Sequence, residues 1–251
     1  MIQANTDGVT VKIPRDKQDD YYNVCKQWEK DVGLELEYAN YDKMMIRDVN
    51  NYIAVYESGG VKRKGAYEYD NLGWHQNQSS LVIPMAVEHE LLGLGTIENF
   101  IESHANKFDF MLRTKVPRSS RLVMVVDDED VLQQNICRYY PSKDGGKLVK
   151  IMPPLEKKTT RYWKSEDGTK AVSNTETEVK KLVKNGYEEL SINFEKAVSD
   201  PDFLKLMERR LSIDSDWNVK TCNNILDYDG DIDYDYYISN ARKLVDQLKG
   251  G

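Results

Sequence analysis

Asp7 is the residue whose type and position most directly suggest chemistry. It is a lone carboxylate in the turn Asn5-Thr6-Asp7-Gly8, and the alternating segment Val9-Thr10-Val11-Lys12-Ile13 follows directly. This alternation predicts a strand with one buried face, and residues 2–4 can pair with it across the turn. Such a hairpin would hold the carboxylate on a stiff support, which suits a metal ligand. The plainer alternative is an ordinary turn aspartate.

A second segment combines basic, aromatic and glycine residues. Tyr52 follows Arg47-Asp48-Val49-Asn50-Asn51, and Val61-Lys62-Arg63-Lys64-Gly65 follows the turn Ser58-Gly59-Gly60. Lysines on a hairpin can contact phosphates, a tyrosine can pack on a sugar, and a glycine permits close backbone approach. These residue types favour a nucleic-acid contact. A half-buried sheet aromatic is the alternative for Tyr52.

Other kinds of active site find little support in the sequence. The three histidines, His75, His89 and His104, lie apart and have no neighbouring Ser or Cys in a recognisable triad context. There is no Walker loop and no dinucleotide-binding fingerprint. The three cysteines are far apart and form no CxxC pair. Their number and spacing argue against a disulfide framework or a zinc site, and for a reducing, intracellular compartment.

The acidic run from Asp227 to Asp235 invites a calcium-binding interpretation. An EF-hand loop needs glycine at its sixth position and glutamate at its twelfth. With Asp227 at position one, these places hold Ile232 and Ile238. The EF-hand is therefore rejected, and a solvated acidic loop is the better interpretation.

The distribution of charge is more informative than the net charge of −7, which by itself argues against a free-standing nucleic-acid binder. Lys62-Arg63-Lys64 forms one basic cluster, whereas acidic residues concentrate at 127–130 and 227–235. Between Phe110 and Val126 all charged side chains are basic: Arg113, Lys115, Arg118 and Arg121. This pattern is typical of a protein that binds phosphates on one side, and solvated basic loops are the alternative.

The 251 residues are enough for one large domain or two modest ones. No apolar run approaches the roughly 20 residues of a membrane span. The N-terminus has no basic segment followed by an apolar core. We therefore expect neither a membrane anchor nor a secretory signal.

Residues 1–69 are predicted to form an α+β unit, in which an antiparallel sheet carries a helix on one face. The hairpin around Asp7 comes first. Strands are predicted over 34–38, 41–46, 52–56 and 61–69. Between the hairpin and these strands, a helix that ends at Gly33 is predicted from five residues with helical spacing: Tyr21, Val24, Cys25, Trp28 and Val32.

Residues 70–251 are predicted to be mainly helical, with a small β-containing insert around 118–152. Gly145-Gly146 is predicted to be a hairpin turn between strands over 136–140 and 147–152, after a strand over 122–126. Helices are predicted over 84–92, 96–103 and 236–248. Another helix is predicted after the capping box Thr175-x-x-Glu178. A further helix is predicted to begin at Asp200-Pro201, with four residues facing inward: Phe203, Leu204, Met207 and Leu211.

The order of these motifs resembles the C-terminal part of a bacteriophage-type family B DNA polymerase. The matching segments are Asn5-Thr6-Asp7-Gly8, Trp28 with Gly33-Leu34-Glu35-Leu36-Glu37, Tyr41 with Met44, Asn51-Tyr52-Ile53-Ala54, Gly60-Val61-Lys62-Arg63-Lys64-Gly65 and Asp233-x-Asp235-Tyr236-Tyr237. The resemblance implies that residues 1–69 are the C-terminal half of a polymerase palm and that residues 70–251 are the thumb region.

The resemblance assigns roles to individual residues. Asp7 matches the catalytic, metal-binding aspartate, with Asn5, Thr6 and Gly8 supporting the turn. Asn5 stands where the family has another aspartate, and Gly8 replaces a serine. Val49 and Asn50 stand where two lysines are expected, so the phosphate contact there falls to Arg47. The residues assigned to DNA are Arg47, Asn51, Tyr52, Lys62, Lys64, Gly65, Arg113, Lys115, Arg118 and Arg121.

The resemblance also implies a cofactor and partners. Two Mg²⁺ ions would be shared with a carboxylate outside this chain, because one aspartate is half of a two-metal site. In the family, the second metal-binding aspartate, the nucleotide-binding helix and the exonuclease precede this hairpin. We therefore expect a split subunit or truncated product that is inactive alone. Its partners would be primer–template DNA, a deoxynucleoside triphosphate and an N-terminal polymerase polypeptide.

The implied location is the cytoplasm of a phage-infected bacterial host, or of a host that carries a prophage. Two alternatives stay open. One is a non-catalytic module that derives from a polymerase thumb and binds duplex DNA. The other is an unrelated α+β interaction protein.

Overall fold

The computed structural model describes residues 1–4, 8–70, 72, 78–154, 161–167, 171–174, 179–191 and 194–249. These residues form helices and antiparallel sheets, which confirms the α+β class. The chain divides into two compact units. The first comprises Met1–Asp109 and Tyr237–Gly251, and the second comprises Phe110–Tyr236. The predicted boundary after residue 69 falls inside the first unit.

The first unit begins with the predicted hairpin. Strand β1 (Gln3–Ala4) pairs antiparallel with β2 (Val9–Thr10), with Gln3 opposite Thr10. The backbone N–H of Ile2 also donates to the carbonyl of Thr10, at 2.8 Å. The predicted pairing of residues 2–4 with the segment after the turn is therefore confirmed.

Helix α1 (Gln18–Val32) also follows the prediction, and it ends at Gly33, whose φ is +69°. None of its residues is buried. Val24, Trp28 and Val32 form an apolar stripe that is largely exposed, at 69%, 44% and 46% of full accessibility. The helix therefore buries little apolar surface within this unit.

A three-stranded antiparallel sheet follows, in the order β3 (Tyr41–Asp48), β4 (Asn51–Tyr56), β5 (Val61–Lys64). The hairpin at Ser58-Gly59-Gly60 is confirmed. The strand predicted over 34–38 is wrong, because the Leu36 N–H donates to the Glu29 carboxylate of α1 at 2.8 Å and not to a neighbouring strand. The last strand ends at Lys64, and a 3₁₀ turn over Gly65–Tyr67 replaces its predicted continuation.

Helices α2 (Val82–Leu91) and α3 (Ile97–Ser103) complete this part of the first unit. The Thr96 hydroxyl accepts a hydrogen bond from the Asn99 N–H, which confirms the predicted N-cap. Fully buried residues from the sheet, the 3₁₀ turn and both helices form the core: Ile53, Ala54, Tyr67, Val82, Ala86, Val87, Ile97 and Ile101.

The second unit is rich in strands, so the expectation of a mainly helical region is wrong for its described residues. Its strands are β6 (Leu112–Lys115), β7 (Arg121–Val126), β8 (Glu129–Gln133), β9 (Ile136–Met152), β10 (Arg161–Ser165), β11 (Ala171–Asn174), β12 (Tyr187–Ser191), β13 (Arg209–Ser212) and β14 (Val219–Thr221). Its helices are α4 (Val179–Lys184), α5 (Phe194–Ala197) and α6 (Pro201–Met207). Val123 and Val149, which lie in segments predicted to be strands, pack together in the core of the larger sheet.

Strand β9 organises the larger sheet. Its first half pairs with β6 and β14, and its second half pairs with β7 and β13. The predicted hairpin turn at Gly145-Gly146 is wrong, since the strand runs through both glycines. A Cβ at Gly145 would lie 2.3 Å from the Val219 carbonyl oxygen, and one at Gly146 would lie 2.3 Å from that of Val125. The two glycines therefore let neighbouring strands approach closely.

Three further predictions concern the last part of the chain. Helix α6 begins after Asp200, whose carboxylate accepts from the Phe203 N–H, as predicted, but Leu211 lies on β13 and not on the helix. The capping box Thr175–Glu178 lies outside the described residues. Helix α7 (Tyr234–Lys249) confirms the predicted terminal helix.

Candidate nucleic-acid interface

The hairpin that carries the predicted metal ligand is described on both sides of its turn. Asn5, Thr6 and Asp7 themselves lie outside the described residues. Gly8 is described and exposed, and it begins the return of the chain into β2. The catalytic and metal-binding role of Asp7, and the supporting roles of Asn5, Thr6 and Gly8, therefore stay predictions.

A cavity of about 880 Å³ lies in the first unit, between the hairpin, α1 and the three-stranded sheet. The residues that line this cavity are distant from one another in the sequence. Among the residues that line it are Gly8, Tyr21, Tyr22, Tyr41, Tyr52 and Lys62. Of these residues, the sequence analysis assigned Gly8 to the support of the Asp7 turn, and Tyr52 and Lys62 to contacts with DNA.

The register of the sheet places the predicted DNA-contacting residues on one face. Tyr52 of β4 is directly opposite Lys64 of β5, and Ala54 is opposite Lys62. Because alternate residues of a strand point to opposite faces, Tyr52, Lys62 and Lys64 share a face. Arg63 lies on the other face.

Lys62 is held by two tyrosines. Its Nζ donates to the Tyr41 hydroxyl at 3.4 Å and lies 6.0 Å from the centre of the Tyr52 ring. Desolvation acts to lower the pKa of Lys62, but the hydrogen bond to Tyr41 and the two tyrosines together raise it. The side chain therefore presents a positive charge at the cavity, where it can contact a phosphate.

Tyr52 is more buried than a sheet-surface tyrosine. Its exposed fraction is 7%. It still lines the cavity, opposite Ile46 on the neighbouring strand. Its ring can therefore contact a sugar only through the part that faces the cavity.

Arg47 and Asn51 have partners within the protein. Arg47 donates to Asp48 at 3.0 Å and to Gln247 at 3.2 Å. The Asn51 amide donates to both carboxylate oxygens of Asp48, at 2.8 and 3.0 Å, and accepts from the Ala66 N–H at 2.9 Å. The hydrogen bond from Asn51, and then that from the Asn50 N–H, lower the pKa of Asp48.

Asp48 is thus a central residue that the sequence analysis did not single out. A DNA contact by Arg47 or Asn51 has to compete with these internal hydrogen bonds. The available signal was the Asp-x-x-Asn spacing across a two-residue turn, which allows a side-chain hydrogen bond.

A contact within the protein also explains why position 65 is a glycine. Its φ is +65°, and a Cβ there would lie 2.3 Å from the Asn50 carbonyl oxygen and 2.4 Å from Asn51 Oδ1. The backbone at this glycine therefore lies close to the turn between β3 and β4, and its contact with DNA stays a prediction.

The opposite face of the sheet packs on α2 through a part-buried ion pair. Arg63 Nη2 donates to Glu88 Oε1 at 2.7 Å, and the Tyr69 hydroxyl donates to the same oxygen at 3.0 Å. Burial, and then the charge of Glu88, raise the pKa of Tyr69 to about 12. Arg63, the middle residue of the basic cluster Lys62-Arg63-Lys64, is therefore a structural residue.

The other predicted DNA-binding residues lie in the second unit. Arg113 and Lys115 are on β6, and Arg118 is exposed in the turn that follows. Arg121 begins β7, and its Nη2 donates to both oxygens of the Glu208 carboxylate, at 2.7 and 2.8 Å. The Arg121 charge is therefore placed against a carboxylate.

The described residues do not by themselves form a site for the predicted magnesium ions. No group of three or more His, Cys, Asp or Glu side chains that could hold a metal occurs among them. Glu37, Asp42 and Glu57 line the cavity without forming such a group. A two-metal site would therefore depend on Asp7 and on carboxylates from elsewhere.

A scan against protein-family models found no match, and neither did searches of the curated proteins and of the solved structures. A functional assignment for this chain therefore depends on its residues and their geometry. In the part of the chain that the structure describes, no helix is long and apolar enough to cross a membrane.

Proposed function

We propose that this chain is the C-terminal palm and thumb of a bacteriophage-type family B DNA polymerase, which acts together with a second polypeptide. The observation that carries the proposal is the cavity. It is lined by Gly8, at the base of the Asp7 hairpin, and by Tyr52 and Lys62. The proposed location is the cytoplasm of a phage-infected or prophage-carrying bacterium.

In this function, the sheet face with Lys62 and Lys64 contacts the phosphates of the primer–template. Tyr41 orients the Lys62 ammonium by its hydrogen bond. Lys64 is exposed one row further along the same face. Such contacts position a duplex without reading its sequence.

The chain contributes one carboxylate, Asp7, to a site for two Mg²⁺ ions. When bound, such ions activate the attacking hydroxyl and stabilise the leaving group of nucleotidyl transfer. Since the described residues contain no group of three metal-binding side chains, the second polypeptide supplies the remaining ligands. The isolated chain is therefore expected to bind primer–template DNA without extending it.

The experiment has a binding arm and an activity arm. In the binding arm, fluorescence anisotropy measures the affinity of the isolated chain for a labelled primer–template at several salt concentrations. Lys62→Gln combined with Lys64→Gln should raise Kd at least about tenfold, because two phosphate contacts are lost. Lys26→Gln, which changes an exposed lysine of α1 outside the cavity, is the matched control.

In the activity arm, the chain is mixed with the polypeptide encoded upstream, provided that it carries the missing aspartate, nucleotide-binding and exonuclease motifs. Magnesium-dependent primer extension is expected from the mixture. Asp7→Ala should abolish extension and leave duplex binding unchanged. Asp16→Ala, at an exposed aspartate, should change neither extension nor duplex binding. An active Asp7→Ala mixture refutes the metal role, and no extension by the unaltered mixture refutes the split enzyme.

The alternative is a non-catalytic module that binds duplex DNA. It is favoured by the lack of a three-residue metal-binding group among the described residues. It predicts salt-sensitive duplex binding that depends on Lys62 and Lys64, with no extension in any mixture. The two arms of the experiment therefore separate the two functions.

A further inference from the structure

The cavity of the first unit has an aromatic wall that the proposed function does not use. Tyr21 and Tyr22 of α1 belong to this wall, and so does Tyr38, which lies in the segment before β3. The ring centres of Tyr21 and Tyr22 are 5.9 Å apart, and those of Tyr22 and Tyr38 are 5.3 Å apart. The three rings therefore form one continuous cluster at the cavity.

Tyr38 is the most exposed member of the aromatic wall. Its exposed fraction is 43%, whereas Tyr21 and Tyr22 are half-buried. Its ring plane is inclined at 64° to that of Tyr22, so the two rings meet edge to face. A ring in such a pair keeps a face that its neighbour does not cover. A flat heteroaromatic group can stack on that face.

Contacts within the protein hold the wall in place. The side-chain amide of Asn40 donates to the Tyr22 hydroxyl at 3.1 Å. The Leu36 N–H donates to the Glu29 carboxylate, which fixes the segment that carries Tyr38 to α1. A surface that is ordered before its ligand arrives loses less entropy on binding.

The charges around the cavity limit which aromatic ligand it can take. Lys12 and Arg15 follow β2 and are exposed at the cavity. Among the described residues that line the cavity, basic and acidic side chains are nearly balanced: Lys12, Arg15, Lys43 and Lys62 against Glu37, Asp42 and Glu57. Such a lining does not favour the concentrated charge of a free nucleoside triphosphate. A strand that carries one phosphate per nucleotide suits it better.

We propose that this cavity binds an unpaired nucleotide of a single DNA strand. Its base stacks on Tyr38, and its flanking phosphates contact Lys12 and Arg15. Aromatic rings combined with basic side chains bind single strands without reading their sequence. The cavity volume of about 880 Å³ lies within the range of about 300–1,000 Å³ that is usual for ligand sites. The proposal rests on the proposed function in that the ligand is that function's DNA, and it adds a site for an unpaired base.

The test measures binding of the full chain to two fluorescein-labelled single strands of about 12 nucleotides, one of thymidine and one without bases, by fluorescence anisotropy. The thymidine strand should bind at least about fivefold more tightly, because stacking of one base contributes that much. Tyr38→Ala should remove this preference. Tyr38→Phe keeps the ring and should retain it.

Trp28→Ala is the matched control for the aromatic ring. Trp28 is 44% exposed, close to the value for Tyr38, but it does not line the cavity. The variant should therefore keep the preference for the thymidine strand.

The phosphate contacts are tested by salt dependence. Lys12→Gln and Arg15→Gln should each reduce the slope of log K against log salt for the thymidine strand by about 0.7. Lys26→Gln, at an exposed lysine of α1 outside the cavity, should leave the slope unchanged.

Circular dichroism checks the fold of each variant. If Tyr38→Ala does not fold, Tyr38→Leu and the comparison of the two strands on the unaltered chain carry the test. The site is overturned if the unaltered chain binds both strands equally, or if Tyr38→Ala keeps the preference as Trp28→Ala does. Binding of thymidine triphosphate without binding of the thymidine strand would also overturn it.

The same measurements separate this site from the proposed function. A preference that depends on Tyr38, together with no primer extension in the two-polypeptide mixture, would retain the site and reject the polymerase. Equal binding of both strands with Asp7-dependent extension would reject the site and retain the polymerase.

Discussion

Gly65 closes the end of β5 against the turn between β3 and β4. Its positive φ is a conformation that side-chain-bearing residues adopt only at a cost, and the space that a Cβ would need is filled by the Asn50 carbonyl. The Asn51 side chain, which also contacts Asp48 and Ala66, fills the rest. The glycine at position 65 thus allows the chain to pack closely against the segment that contains Arg47, Asn51 and Tyr52.

Gly65→Ala should therefore reduce the free energy of unfolding by about 1–3 kcal/mol, from backbone strain and displacement of the Asn50–Asn51 turn. Urea denaturation measures this. Gly59→Ala is the control, because Gly59 also has a positive φ, +89°, but nothing lies within 4 Å of its Cβ position. It should cost about 1 kcal/mol, from strain alone. Equal losses at both positions would contradict the contact with Asn50.

For single residues, the sequence predicts which side chains share a face of the sheet better than it predicts which groups they bond to. The shared face of Tyr52, Lys62 and Lys64 follows from strand periodicity and a turn at Ser58-Gly59-Gly60. The roles of Asp48 and Arg63 do not follow, because each depends on a partner brought near by tertiary packing. A basic cluster in a sequence cannot show which of its residues faces a carboxylate.

Strand β5 and helix α2 are joined by the Arg63–Glu88 ion pair. The side chains are 16% and 10% exposed, so water screens the pair weakly. Tyr69 donates to the same carboxylate and its ring lies 4.5 Å from the Arg63 guanidinium carbon. Arg63 also contacts the Asp70 carboxylate at 2.8 Å, so it would keep one partner if Glu88 were lost. The loss of Arg63, by contrast, would leave the Glu88 carboxylate part-buried without this cation.

Arg63→Met should consequently reduce the free energy of unfolding by about 3 kcal/mol. The double variant Arg63→Met with Glu88→Leu should lose less than Arg63→Met, since it does not leave the part-buried Glu88 carboxylate without its cation. Chemical denaturation of the single and double variants measures both effects. Glu57→Ala, at an exposed residue in the turn that follows β4, is the control. A double variant as unstable as Arg63→Met would show that packing, not charge, dominates.

Among whole elements, the sequence predicts those with a clear period and a clear end signal. Helix α1 has both, and it ends at Gly33 as expected. The segment 34–38 alternates as a strand would, but no strand among the described residues pairs with it, and its Leu36 N–H donates to the Glu29 carboxylate. Gly145-Gly146 has the composition of a turn, yet its function is to admit β14 and β7 beside β9. In both cases the structure depends on which strands lie next to the segment, and the local sequence does not show this.

The molecule as a whole carries many carboxylates whose pKa is lowered by internal hydrogen bonds. They include Asp48, Glu98, Asp130, Asp200, Asp229 and Asp231. The acidic run predicted to be a solvated loop belongs to this set: Lys220 Nζ lies 2.8 Å from Asp229 and 2.7 Å from Asp231. The Tyr140 hydroxyl also donates to Asp229, at 2.7 Å. These contacts with Lys220 and Tyr140 therefore bind the acidic segment to the sheet of the second unit.

These shifts predict a plateau of stability between about pH 5 and pH 9. Carboxylates with lowered pKa contribute stability above their ordinary values of 3.8 to 4.5, and that contribution is lost as pH falls further. At the alkaline end, burial raises the pKa of Cys137 to about 11 and of Tyr236 to about 12. Their contribution is present below their ordinary values of 9.0 and 10.0, and it is lost as pH rises beyond them.

Scanning calorimetry from pH 2.5 to 10.5 measures this profile as Tm. Lys220→Met removes the cation between Asp229 and Asp231, so it should cost about 1 kcal/mol at pH 7. This deficit should shrink below pH 4, as both carboxylates become protonated. Lys184→Met, at an exposed lysine, should show no such dependence. A deficit that is constant from pH 3 to pH 7 would contradict the electrostatic origin.

The first unit is assembled from two separate stretches of chain. Tyr237, Ala241 and Val245 of α7 are buried, and the Tyr67 hydroxyl donates to the Leu244 carbonyl at 3.3 Å. During translation, residues 1–109 leave the ribosome first, and all of 110–236 must be synthesised before α7 can join them. The second unit is contiguous and can fold as soon as it emerges. The region that contains the cavity therefore completes its core last, although its sequence is made first.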